Sequence, residues 1–193
     1  QFYKSNNTSF FTDFQNGAKY FDAQGQWTTP EVWEKISLPH TFNKDDMQRD
    51  RNFFEGKAVY QKKFTVAADK KDKRSFLKFE GVGSVAQLYI NDNYIGEHKG
   101  GYSMFVFEIT NSVNYGKENT VTVITDNAAR KDVLPVNQFL FPIYGGIYRP
   151  VHLITTEKTG FVVTDQAAAG IYITQKNVSA KSANIIVKSK LET

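Results

Sequence analysis

The side chains that could carry chemistry in this chain are scattered. Glu31, Glu34, Asp45, Asp46 and Asp126 could supply carboxylates. Acid–base cleavage of an acetal needs two such groups about 5 to 10 Å apart across a cleft, and nothing in the spacing pairs any two of these. His40, His98 and His152 stand singly, without a carboxylate or histidine partner at ligand spacing, so no zinc site is expected. The chain has 0 Cys, which excludes a disulfide framework, a thiolate metal site and a cysteine nucleophile together. No GxGxxG or GxxxxGK[ST] spacing occurs, and nucleotide binding drops out. No cofactor is expected.

Two glycine pairs stand out, Gly100-Gly101-Tyr102 and Gly145-Gly146-Ile147-Tyr148-Arg149, each just before a predicted strand. Their simplest role is a β-bulge at the strand start. The functional alternative is that the stretch entering the second pair, Asn137 to Tyr144, is held rigidly enough to present polar groups to a ligand. Trp27 and Trp33 could stack on sugar rings, but large aromatics at a sheet edge more often lid the core. Asp69-Lys70-Lys71-Asp72-Lys73-Arg74 is the densest basic run, interrupted by acids and lacking interleaved aromatics. It reads as a solvated hairpin tip and not as a nucleic-acid patch.

The elements that must position these groups are strands. Aromatics are 15% of the 193 residues, with 16 Phe and 10 Tyr against 2 Met, so rings and β-branched side chains supply the core. Strands are predicted over 59–66, 75–79, 85–90, 94–98, 104–109, 120–125 and 149–155, at the spacing of a sandwich or jelly roll. Phe105, Phe107 and Ile109 alternate with Val106 and Glu108, which puts the first three on a core-facing side. Asn91-Asp92-Asn93 between apolar pairs predicts a tight hairpin.

The first fifty residues are largely polar with scattered aromatics, and 45–54 reads as an excursion loop. Glu157-Lys158-Thr159-Gly160 reads as a connector, after which 161–164, 170–174 and 184–190 read as strands of an unfinished second unit. A truncated second domain is therefore expected. No apolar run approaches the ~20 residues of a membrane span. With Gln1 in place of Met, an export signal already removed is expected, and with it a periplasmic or secreted location. Net charge is +4.

Taken in order, Leu38-Pro39-His40, Tyr60-Gln61-Lys62-Lys63-Phe64, Phe79-Glu80-Gly81-Val82, Leu88-Tyr89-Ile90-Asn91, Gly96-Glu97-His98-Lys99-Gly100-Gly101-Tyr102, Phe107-Glu108-Ile109-Thr110 and Gly145-Gly146-Ile147-Tyr148-Arg149 resemble the sugar-binding domain of glycoside hydrolase family 2. That family includes β-galactosidases, β-glucuronidases and β-mannosidases. The resemblance implies an all-β chain, with residues 1–157 a galactose-binding-like jelly roll and 158–193 the opening of an immunoglobulin-like sandwich. The catalytic TIM barrel would follow, so this chain alone would not hydrolyse glycosides.

The resemblance also implies where sugar could be met. Family members reach over the barrel with the loop before the second glycine pair, where an Asp can bond a substrate hydroxyl. Here that loop carries the amides Asn137 and Gln138, which donate and accept without charge. Asp126-Asn127 resembles the family's acidic turn and is the second candidate for facing the cleft. Both pairs could instead merely shape their loops. Arg149 is expected to pair with a neighbouring carboxylate. The implied partners are a β-glycoside in the context of the full, β-galactosidase-like enzyme, its own downstream barrel and another copy of the chain. A different class of function, an independent carbohydrate-binding module, would use Trp27, Trp33 or Tyr102 as a stacking platform.

Overall fold

The computed structural model describes residues 2–5, 34–44, 46, 53–134 and 142–193. Trp27, Glu31, Trp33, Asp45, Asn137 and Gln138 lie outside the described residues, and so do the expectations placed on them.

Among the described residues eight strands form two antiparallel sheets. In the larger, β1 (Phe2–Ser5), β2 (Lys57–Thr65), β4 (Val85–Ile90), β5 (Asn93–Lys99) and β7 (Glu118–Asp126) lie in the order β1-β2-β7-β4-β5. In the smaller, β3 (Arg74–Phe79), β6 (Phe105–Glu108) and β8 (Val151–Thr156) lie in the order β6-β3-β8. The period of two decides what faces inward. Ala58 and Tyr60 of β2, Ala86, Leu88 and Ile90 of β4 and Val123 of β7 share one buried cluster with Leu77, Phe79 and Phe105 of the smaller sheet. One core between two sheets is a β-sandwich. Phe79 lies flat on Phe105, ring centroids 4.8 Å apart and 6° from parallel. A fully buried ring of this size contributes about 2 to 3 kcal/mol through the water it sheds.

The seven predicted strands are all present, with ends shifted by one or two residues. Phe105 and Ile109 are buried and Glu108 is exposed, as the alternation requires. Asn91 and Asp92 turn the β4–β5 hairpin at φ 49° and 67°, a backbone that suits short polar side chains. The Asn91 side chain then braces the turn, accepting from Thr120 N and donating to Asn119 Oδ1.

Three local expectations are corrected. The Asp69–Arg74 run is no hairpin tip. A single 3₁₀ turn at Ala68–Lys70 carries the chain from β2 in one sheet to β3 in the other, so the turn is a crossover between layers. The glycine pairs do not open bulged strands either. Gly100 follows directly on β5, and the register irregularity lies between Leu88 and Tyr89. Gly146 instead forms an antiparallel bridge with Gly83, and a Cβ on Gly145 would stand 2.0 Å from the Phe42 ring. Arg149, finally, meets no carboxylate among the described residues: its guanidinium lies over the Tyr148 ring, 5.7 Å from the centroid.

On the smaller sheet a guanidinium that does grip a carboxylate is Arg74. It donates from Nε and a terminal nitrogen to both oxygens of Glu108, at 3.0 and 2.7 Å, and its other terminal nitrogen pairs with Glu192. It also covers the fully buried Phe76 ring on the outer face of the smaller sheet.

Beyond Thr156, β9 (Gly160–Phe161) pairs with β12 (Leu191–Glu192), and β10 (Ile171–Lys176) with β11 (Asn184–Ser189). Ile173 and Val187, directly opposite in register, are both exposed. No helix among the described residues is long and apolar enough to cross a membrane.

Candidate functional site: the end of β7

Asp126 and Asn127 are adjacent in sequence, yet they do different things. β7 ends here, and strand alternation sends consecutive side chains to opposite faces.

Asn127 turns inward and is fully buried. Its Nδ2 donates to the carbonyls of Ile143 (2.8 Å) and Phe54 (3.1 Å) and to Asn43 Oδ1 (3.3 Å), while its Oδ1 accepts from Gly56 N (2.8 Å). Asn43, equally buried, accepts from Gly145 N at 2.7 Å and donates to Asp46 Oδ2 at 2.7 Å and to the Phe54 carbonyl at 2.8 Å. Asp46 Oδ2 also accepts from Phe54 N at 2.8 Å, and the Thr41 hydroxyl donates to the Gly145 carbonyl at 2.8 Å. Four chain segments thus meet in one buried polar cluster. An amide suits this place because it donates and accepts at once, and a buried group must find partners for both functions.

The cluster fixes Ile143 and Gly145, which follow the stretch containing Asn137 and Gln138. It is packed tightly on its apolar side. Phe42 stacks edge-on against Phe54, centroids 5.5 Å apart, and the Gly145 backbone lies against the Phe42 ring. Gly146, at φ 113°, lets the chain pass beside the Tyr60 hydroxyl and the His40 carbonyl, where a Cβ would stand within 2.7 Å of both. His40 Nδ1 and Tyr60 OH are 2.9 Å apart. Burial lowers the His40 pKa and raises that of Tyr60, so both are neutral at pH 7.

Asp126 faces the other way. Its Oδ1 accepts from Ala128 N at 2.9 Å, and its Oδ2 lies 3.9 Å from an Arg130 nitrogen. Here the outer face of the larger sheet carries a cleft of about 200 Å³ floored by Val85 and Ile124 and walled by Lys57, Gln87, Glu97, Asp126 and Arg130. Burial draws the Lys57 pKa down from the ordinary lysine value, partly opposed by the Asp126 charge. Asp132 holds Arg130 by two hydrogen bonds, at 2.9 and 3.2 Å, and Lys99 by a third at 2.6 Å, and its carboxyl is held far below the usual range.

Of the two sequence-predicted pairs only Asp126–Asn127 lies among the described residues, and its two side chains go to opposite faces. Asn127 shapes the support behind the second glycine pair, and Asp126 belongs to a cleft. Asn43 was not legible as a partner, since 84 residues separate it from Asn127 and no spacing links them. Histidine pairing was hidden in the same way: His152 Nε2 lies 2.8 Å from Glu80 Oε1 across 72 residues. Among the described residues no three His, Asp or Glu side chains gather to hold a metal.

The described residues thus form a β-sandwich whose segments at the end of β7 are held by buried amides. The pattern described as "Glycosyl hydrolases family 2, sugar binding domain" matches residues 18–157, and the chain belongs to that family as its N-terminal sugar-binding domain. It is 42% identical over 159 residues to a β-glucuronidase of Bacteroides fragilis, covering 81% of this chain and 23% of the relative. It is 30% identical to a β-galactosidase of Thermoanaerobacterium thermosulfurigenes, covering 97% of this chain and 27% of that protein. The crystal structure of a Bacteroides uniformis β-glucuronidase superposes with a TM-score of 0.80 at 30% identity, over 99% of this chain and 21% of that one. The chain spans about a quarter of the length of these relatives.

Proposed function

We propose that this chain walls one side of the active site of a β-galactosidase- or β-glucuronidase-like exo-glycosidase, presenting Asn137 and Gln138 to the sugar while a separate catalytic barrel supplies the reacting acids. The observation that carries this reading is the Asn43–Asn127 cluster. Buried amides spent on the carbonyl of Ile143 and the N–H of Gly145 hold the chain just past Asn137 and Gln138 in one place. Such rigidity has value where a substrate hydroxyl must be met at hydrogen-bond distance.

The proposed division is a sugar-binding domain over residues 1–157 and the first part of an immunoglobulin-like sandwich over 158–193. It is supported by strand pairing, since among the described residues β9 to β12 pair only with one another. A periplasmic or secreted location fits a polysaccharide-derived substrate and belongs to the same proposal, as does self-association through the sandwich.

The test is steady-state kinetics of the longer, barrel-containing protein on p-nitrophenyl β-galactoside and β-glucuronide. Replacing Asn137 and Gln138 by Ala should raise KM or lower kcat/KM on the preferred substrate. Unchanged constants on every hydrolysed substrate would remove these amides from the sugar's surroundings. Exposed Tyr102 and Tyr144 favour the second reading, an independent carbohydrate-binding module. That reading requires sugar-dependent shifts centred on these rings in the chain by itself.

A further inference from the structure

We propose that the cleft bounded by Lys57, Gln87, Glu97, Asp126 and Arg130, on the outer face of the larger sheet, is a weak binding site for one neutral pyranose. The register builds it. Lys57 stands opposite Asp126, Asp126 opposite Val85, Gln87 opposite Ile124, and Glu97 opposite Gln87, so four neighbouring strands contribute to one face. Val85 and Ile124 give an apolar floor for the C–H face of a ring.

The walls alternate donors with acceptors, and a sugar hydroxyl is both at once. Arg130 is pre-oriented, because Asp132 takes its Nε and one terminal nitrogen and leaves the other toward Asp126. The 3.9 Å between that nitrogen and Asp126 Oδ2 is too long for a hydrogen bond, so one ligand hydroxyl can bridge the two. On the far wall Gln87 donates to Glu97 Oε2 at 2.9 Å, which fixes that carboxylate and leaves Oε1 toward Lys99 at 3.6 Å.

Charge selects the class of ligand. Lys57 and Arg130 balance Glu97 and Asp126, so a neutral polyol gains hydrogen bonds without leaving a charge unmatched. A uronate would bring its carboxylate against two others. At about 200 Å³ the cleft holds one ring and no oligosaccharide. With an aliphatic floor and no aromatic ring among the described lining residues, affinity is weak, a Kd of roughly 10 mM.

Amide NMR titration of the chain with galactose, glucose, glucuronate and glycine tests this. Saturable shifts are expected for Lys57, Gln87, Glu97, Asp126 and Arg130 with a neutral hexose. They should weaken several-fold in Glu97→Gln and in Gln87→Ala, whose unperturbed spectra elsewhere would show an intact fold. Absence of saturable shifts, an equal response to glycine, tighter binding of glucuronate, or shifts centred on Tyr102 and Tyr144 would each overturn the proposal. Loop variants at Asn137 and Gln138 test the wall reading by kinetics alone, so the two can fail separately.

Discussion

Asn127 reaches from the end of β7 to the carbonyl of Ile143, 2.8 Å away, and through this bond the larger sheet grips the chain just before the second glycine pair. The same side chain accepts from Gly56 N. One amide therefore fixes two segments that meet nowhere else in sequence.

Removing it has a definite cost. Asn127→Ala strips partners from Gly56 N–H and from the Ile143 carbonyl, and Asn127→Asp keeps the acceptor but loses the donor. Each unsatisfied buried group costs about 1 to 3 kcal/mol, so Asn127→Ala should destabilise by about 3 kcal/mol and Asn127→Asp by a similar amount. Urea unfolding checks this, and a loss below about 0.5 kcal/mol would mean that water replaces the amide without penalty.

Gly145 and Gly160 make a matched pair for testing close packing. A Cβ on Gly145 would stand 2.0 Å from the Phe42 ring, whereas one on Gly160 would meet nothing within 4 Å. Gly145→Ala should lose about 3 kcal/mol or more and Gly160→Ala almost nothing. Combining Gly145→Ala with Phe42→Leu should recover part of the loss, because the collision is with the ring edge. Thermal denaturation of the three variants decides it.

The chain should lose stability on acidification in two stages. Burial lowers the His98 pKa from 6.5, its ring stacked on Phe105 at 4.1 Å, so the folded state resists protonation that the unfolded chain accepts. That contribution is complete above about pH 6.5 and is lost as pH falls through the lowered folded value. Glu108 comes next. Its hydrogen bonds with Arg74 outweigh burial and lower its pKa from 4.5, so its contribution holds above that value and disappears as pH falls through the folded one. Glu108→Gln should make the lower stage shallower and His98→Asn the upper, to which half-buried His40 also contributes, read from denaturation midpoints between pH 3 and pH 8. A profile unchanged by either substitution contradicts the assignment.

In the longer, barrel-containing enzyme that we propose, Asn137→Ala and Gln138→Ala should each raise KM by about fivefold if the amide bonds one substrate hydroxyl, the usual worth of a neutral hydrogen bond. If instead either bond forms only in the transition state, kcat falls by that factor at constant KM. Initial rates across a substrate series separate the two outcomes.

The sequence by itself determined the strands, the hairpin and the family. Alternation of Phe105, Phe107 and Ile109 and the Asn91-Asp92 turn are local signals, because a period of two and a positive φ are properties of a few consecutive residues. Which sheet each strand joins was decided elsewhere. The Asp69–Arg74 turn reads alike whether it closes a hairpin or crosses between layers, since that choice depends on where β2 and β3 find their hydrogen-bonding partners. The tertiary structure also gave neighbouring residues opposite tasks, Asp126 toward a cleft and Asn127 into a buried cluster with Asn43. It assigned bidentate carboxylate grips to Arg74 and Arg130 and left Arg149 over a tyrosine ring. A polar side chain's role follows from the donors and acceptors within about 3 Å of it. In this protein those come from segments many residues away, brought together only by packing the two sheets.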